Sequence, residues 1–160
     1  MGNQFFNGLT MVEPKTKVVV EQVGIDSVEL VHLPYHPDQR GDLTVGEIGA
    51  GLPFVPQRFF VVFSVPGPQI RGDHAHLKCH QFMLCLKGSC KVNVDNGKKR
   101  VCVLLDDPTK GLYVPPMIWA TEFDYSPDAT LLVLASHLYD PADYIRDYLD
   151  YQALVNNNHG

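Results

Sequence analysis

The chain has 160 residues, 45% of them hydrophobic and 19% charged, with a net charge of −5 when the histidines are neutral. That is enough for one domain with a real core and too little for two comfortable ones. The acidic balance excludes nucleic-acid binding by bulk charge, though not a local basic pocket, and no apolar run approaches a membrane span.

Residues 1–17 carry no firm pattern and read as an N-terminal tail, leaving one domain over residues 18–155. The N-terminus lacks the cationic-then-apolar order of a signal peptide, so the expected address is the cytoplasm. Short strands are predicted at Val18–Val20 and Val28–Leu33, broken by Pro34 and Pro37. A turn over His36–Asp42 returns into a further strand, Leu43–Ile48, before Gly49-Ala50-Gly51. Arg58–Ser64 is aromatic and β-branched, the composition of a strand. His74–Leu86 reads as a strand, or as a strand pair with a kink. Cys90–Asp95 alternates with a period of two and runs into Asn96-Gly97, a strong hairpin signal, with Arg100–Leu105 as the return strand. Strands over Gly111–Pro116, Trp119–Tyr125 and Thr130–Ser136 follow. Only the tail changes character: Tyr144, Ile145, Tyr148, Leu149 and Tyr151 fall at roughly helical spacing over Pro141–Leu154, with Asp140 placed as N-cap and Pro141 at the first helical position. Many short strands, turns every eight to twelve residues and one late helix predict an all-β jelly-roll barrel.

Two features carry chemistry. The four cysteines form no CxxC pair; Cys85 and Cys102 lie in apolar runs and read as reduced core residues, while Cys79 stands beside the histidines. The stretch from Arg71 to Phe82 holds His74, His76 and His80, which share one face if the strand is unbroken. His74 and His80 would then be about 20 Å apart, too far for one metal ion without a sharp bend, whereas His74 and His76 are about 7 Å apart at Cα. Neighbouring imidazoles acting as acid and base are the better reading than a metal centre.

The combination of Arg71-Gly72-Asp73-His74-Ala75-His76, Gln81-Phe82, Gly88-Ser89-Cys90, Gly111–Trp119 and Asp140–Tyr148 is similar to the cupin-type nucleotide-sugar 3,4-ketoisomerases, over roughly Val18 to Tyr151. Metal-binding cupins place a histidine in the second signature; Gly111–Ala120 has the glycine and the proline but no histidine. The resemblance implies a cupin double-stranded β-helix and a metal-free, cofactor-free isomerase acting on dTDP-4-keto-6-deoxyglucose. It also implies a homodimer that exchanges strands, and a place in making deoxyamino sugars for bacterial surface glycans. Some relatives are fused to an acetyltransferase. The catalytic residues it indicates are His74 and His76, with the division of labour between them open. Arg71, Arg58, Gln81 and Trp119 are the candidates for binding substrate, with Arg40 and Lys78 weaker candidates for the diphosphate. The family's tyrosine in the strand before the histidine pair has no counterpart in Arg58–Phe63 and must be vacant or filled from another strand. The competing expectations are a dTDP-4-keto sugar 3,5-epimerase, a metal-dependent cupin oxygenase and a non-catalytic sugar-binding module. The stereochemistry of the product at C4 is not written in these motifs.

Overall fold

The structure, a computed structural model, describes residues 15–25 and 27–157, so most of the expected N-terminal tail lies outside it. The strands are β1 (Val19–Gln22), β2 (Glu29–His32), β3 (Tyr35–His36), β4 (Leu43–Thr44), β5 (Glu47–Ile48), β6 (Gly51–Leu52), β7 (Arg58–Phe63) and β8 (Arg71–His76). They continue as β9 (Gln81–Lys87), β10 (Cys90–Asp95), β11 (Arg100–Leu105), β12 (Lys110–Val114), β13 (Trp119–Phe123), β14 (Thr130–Ala135) and β15 (Tyr144–Ile145), before helix α1 (Tyr148–Asn157).

Two antiparallel sheets face each other. One runs β1-β2-β12-β9-β14-β7 and the other β11-β10-β13-β8-β15. Consecutive strands repeatedly change sheet, as in a jelly roll, so β8 and β9 lie on opposite walls although only four residues join them. Alternation supplies the filling. Met83 and Cys85 from β9, Leu131 and Val133 from β14, and Val92 and Val94 from β10 meet between the sheets in the main core. The opposite faces of β9 and β2 are also apolar: Phe82, Leu84, Val31 and Leu33 form a second cluster on the outside of the larger sheet, partly roofed by Leu52 and Phe54. Gly111 lies beneath the Phe82 ring, which occupies the space where a Cβ would stand.

The all-β barrel with a short C-terminal helix is the fold expected from sequence. Three local expectations differ. Leu43–Ile48 is not one strand but two strands of two residues each, β4 and β5, in separate small sheets. Cys102 is exposed rather than in the core, because β11 turns Val103 and Leu105 inward and Cys102 out. The late helix begins at Tyr148, not Pro141. Asp140 accepts from the Ala142 amide and caps only a 3₁₀ turn, Pro141–Asp143. Tyr144 and Ile145, aromatic and β-branched, pair instead with His76 and Ala75 as β15. Asp147 is the residue that caps α1, accepting from the amides of Leu149 and Asp150.

Candidate active site

The site is built on β8, and a bulge makes it possible. Across the β13 ladder, Glu122 faces Arg71, Thr121 faces Gly72 and Ala120 faces His74, so Asp73 is an extra residue. Gly72 and Asp73 both take left-handed backbone, with φ of 70° and 58°. Residues paired across a ladder point to the same side. Arg71 and His74, three apart, would face opposite sides of a regular strand; the extra residue brings both to the inner face. Asp73 is turned outward, where its carboxylate accepts from Trp119 Nε1 at 3.2 Å and Thr121 Oγ1 at 3.1 Å.

His74 and His76 meet edge to face, their Nε2 atoms 3.1 Å apart. His74 Nδ1 lies 2.9 Å from the Gly72 carbonyl, which can only accept, so Nδ1 carries the proton. His76 Nδ1 lies 2.8 Å from Asp143 Oδ2. The amides of Lys78 and Cys79 also donate to that carboxylate, which leaves it an acceptor toward the ring. Both Nδ1 atoms are therefore donors, and two Nε2 lone pairs face each other unless one proton lies between them. Burial pushes both rings below the ordinary histidine range, His76 to about 4, with the hydrogen bond to Asp143 opposing the shift. Burial alone would leave both rings neutral; the contact between facing nitrogens is satisfied only with a single proton, and that geometry decides. A second proton is what burial excludes.

A cavity of about 330 Å³ opens beside His74, lined also by Arg71, Gln81, Glu122, Tyr144 and Arg146 and walled by Phe60 and Val62. Glu122 is buried beneath it, and its carboxyl fills the space over Gly72. Burial raises Glu122 to about 7, against the pull of the Arg71 charge. The side-chain amide of Gln81 faces across from the other sheet and has no hydrogen-bond partner among the described residues. Tyr144 packs its ring 4.8 Å from His74 and 4.4 Å from His76, with the Arg146 guanidinium 4.3 Å from its centroid. A larger groove of about 560 Å³ lies between β1, β2 and residues 45–53, but it contains no histidine.

The family model described as FdtA: WxcM-like, C-terminal matches residues 26–156. The chain belongs to the FdtA family. It is 41% identical over 118 residues to a TDP-4-oxo-6-deoxy-α-D-glucose-3,4-oxoisomerase of Aneurinibacillus thermoaerophilus, covering 74% of this chain and 85% of that one. The solved structure of QdtA from Thermoanaerobacterium thermosaccharolyticum, a sugar 3,4-ketoisomerase in complex with TDP, superposes with a TM-score of 0.81 at 35% identity, over 84% of this chain and 98% of that one. A 4-keto-6-deoxy sugar epimerase, NovW from Streptomyces spheroides, has a TM-score of 0.70 at 22% identity over 84% of this chain and 76% of that one, a likeness of fold alone.

In this FdtA-family chain the structure brings His74, His76, Arg71 and Gln81 to one place. Arg58 stands behind rather than in the cavity, its guanidinium 5.5 Å from the centroids of Phe60 and Tyr139 and its charge opposing protonation of His76. Trp119 does not line the cavity: it is buried against Tyr148 and Tyr151, with ring centroids 5.1 and 5.5 Å away. His80 does not share the histidine face, because β8 ends at His76. It sits in the turn, bonded through Nδ1 to the Tyr113 hydroxyl at 2.8 Å. Among the described residues, His74, His76 and His80 do not gather into one ligand cluster.

Four residues of the site were not among the candidates: Asp143, Tyr144, Arg146 and Glu122. The first three follow Asp140-Pro141, a signal that predicts the start of a helix and in the structure opens only a 3₁₀ turn. Glu122 had a fainter signal, a lone acid at an inward position of an otherwise apolar strand.

Proposed function

We propose that this chain is a 3,4-ketoisomerase acting on a TDP-linked 4-keto-6-deoxy sugar, with the His74–His76 pair carrying the protons. The observation that carries the reading is the pair of Nε2 atoms 3.1 Å apart beside a polar cavity.

Moving a ketone from C4 to C3 takes four proton events. C3 loses a proton and O4 gains one, giving an enediol; O3 then loses a proton and C4 gains one. A pair that rests with one proton balances both halves. One ring gives its proton to O4 while the other accepts from C3, and the pair again holds one. The proton taken from C3 exchanges with solvent while the enediol is bound; the pair then gives a proton to C4, accepts the O3 proton and returns to its starting state. No external acid or base is consumed, and no metal is called for. His74 lines the cavity, and we assign it the exchange with carbon. His76, buried and held by Asp143, serves the oxygens. Gln81 and Glu122, on opposite walls, are placed to hydrogen-bond the sugar hydroxyls. Arg71 and Arg146 at the cavity rim suit diphosphate oxygens, which a guanidinium fork matches.

Two further parts of the reading rest on the family resemblance. The chain acts as a homodimer, which would cover the exposed stripe Phe59, Val61 and Phe63 on the outside of β7. It works in the cytoplasm, in keeping with Cys79, Cys85, Cys90 and Cys102 as free thiols.

Incubation with TDP-4-keto-6-deoxyglucose in heavy water, followed by NMR, tests the function. The expected product has its ketone at C3 and deuterium at C4, and the configuration at C4 is read in the same spectrum. A ketone retained at C4 with inversion at C3 or C5 would mean an epimerase. No exchange at any carbon would mean a binding module.

A further inference from the structure

We propose that His76, Cys79 and Asp143 form a binding site for one borderline-soft divalent cation of the zinc class, and that filling it switches the enzyme off. The inhibitory half rests on the ketoisomerase reading above; the binding half does not.

A strand end and two turns bring the donors together. His76 closes β8, Cys79 lies in the turn before β9, and Asp143 ends the 3₁₀ turn before β15. One donor atom from each, a ring nitrogen, a thiol sulfur and a carboxylate oxygen, lies within 4.8 Å of the others. In a tetrahedral zinc site with bonds of about 2.0–2.3 Å, ligand atoms stand roughly 3.3–3.7 Å apart. His76 Nδ1 and Asp143 Oδ2 start closer than that, at 2.8 Å, and the three donors together span no more than 4.8 Å. Shifts on the order of an ångström complete the triangle, and water takes the fourth position.

The surroundings prepare the site. The amides of Lys78 and Cys79 clamp the Asp143 carboxylate, and Cys79 is 2% exposed. A thiolate and a carboxylate together neutralise a dication, which a buried site requires. The nitrogen–sulfur–oxygen set selects zinc, cobalt(II) or cadmium over magnesium and calcium, which prefer oxygen throughout.

Binding releases two protons to solvent, one from the Cys79 thiol and one from His76 Nδ1. With Nδ1 committed to the metal, the His76 ring is neutral only while Nε2 keeps its proton, and giving that proton up would leave an imidazolate. The Asp143 carboxylate that steadied the charged ring is also committed to the metal. The pair holds its proton but can no longer pass it on, and turnover stops. Cys79 has no part in the proton transfers themselves.

The test uses the full chain without a histidine tag, stripped with a chelator. Cobalt(II) is titrated in and the thiolate-to-cobalt charge-transfer absorption followed, with no substrate present. The expected result is one equivalent bound with that band. The band is absent in Cys79→Ala and Cys79→Ser and retained in Cys102→Ala, which removes the exposed thiol. In the isomerase assay, zinc should inhibit the wild type and magnesium should not. Both Cys79 variants should keep basal turnover and need at least about tenfold more zinc for the same inhibition. Absence of a stoichiometric band, its persistence without Cys79, or its loss with Cys102 overturns the site. Cobalt binding with no isomerisation of the keto sugar would instead overturn the proposed function and leave the site standing.

Discussion

The Gly72 carbonyl and the Asp143 carboxylate decide which nitrogens of the pair can work, because each holds a proton on Nδ1 and turns Nε2 toward the other ring. His74→Asn removes the group assigned to carbon, and turnover should fall by about 10²–10⁴-fold, measured with the NMR assay. Asp143→Asn offers an amide that can donate to His76 Nδ1 and so favours the wrong tautomer. Loss should be on the order of 10²-fold or more in kcat, with little change in KM because Asp143 does not line the cavity. The acid limb of the pH–rate profile should lie well below 6.5, since burial opposes a second proton on either ring. Glu122 gives a stability test. Its pKa is about 7 folded and near 4.5 unfolded, so the folded state binds the extra proton in between. Its contribution is complete below pH 4.5 and is lost as the pH rises through 7, a swing of up to about 3 kcal/mol. His76 acts oppositely, its contribution being lost as the pH falls from 6.5 toward 4. Comparing wild type with Glu122→Gln cancels the His76 part. Denaturant unfolding at pH 5 and pH 8 should show the wild type losing ground to the variant at the higher pH. An equal gap at both would remove Glu122 as a titrating group.

Helix α1 and β15 act as one clip that holds Asp143 and Tyr144 against the pair. Tyr151 is fully buried, and its hydroxyl reaches the carbonyls of Asp95 at 2.7 Å and Met117 at 3.0 Å. Asp95 in turn accepts from Arg100 Nε at 3.0 Å and the Tyr148 hydroxyl at 2.8 Å. Tyr151→Phe leaves buried carbonyls unpaired and should cost about 1–3 kcal/mol. Hydrogen exchange should quicken at the β15 amides before those of β9 or β14; uniform acceleration would argue against a separate clip. This region was the least legible in the sequence. Asp140-Pro141 is a sound N-terminal signal, but it serves a single 3₁₀ turn. The pairing of Tyr144 with His76 spans 68 positions and leaves no local trace. The bulge at Asp73 was equally hidden, since nothing in Arg71-Gly72-Asp73-His74 besides the glycine announces that the phase of the strand is about to change.

Across the whole molecule, alternation in Cys90–Asp95 and Thr130–Ala135, and turns such as Asn96-Gly97, were enough to place strands and infer a barrel. They could not say which wall each strand joins, because that depends on pairings such as β9 with β14, far apart in the chain. The same alternation exposes a surface with no partner among the described residues. Phe60 and Val62 of β7 point into the core, while Phe59 and Phe63 are 68% and 65% exposed with Val61 between them. Their ladder partners on β14 are Leu134, Leu132 and Thr130, so the apolar outer face widens onto the next strand. A strand at the edge of its sheet with such a face invites a second copy. Replacing Phe59 and Phe63 together by Asp places two charges on that stripe without touching the inward residues. The wild type should sediment as a dimer and the double variant as a monomer, with its melting transition still cooperative. A wild type that sediments as a monomer at micromolar concentration, or a variant that remains dimeric, would place the subunit contact elsewhere or remove it.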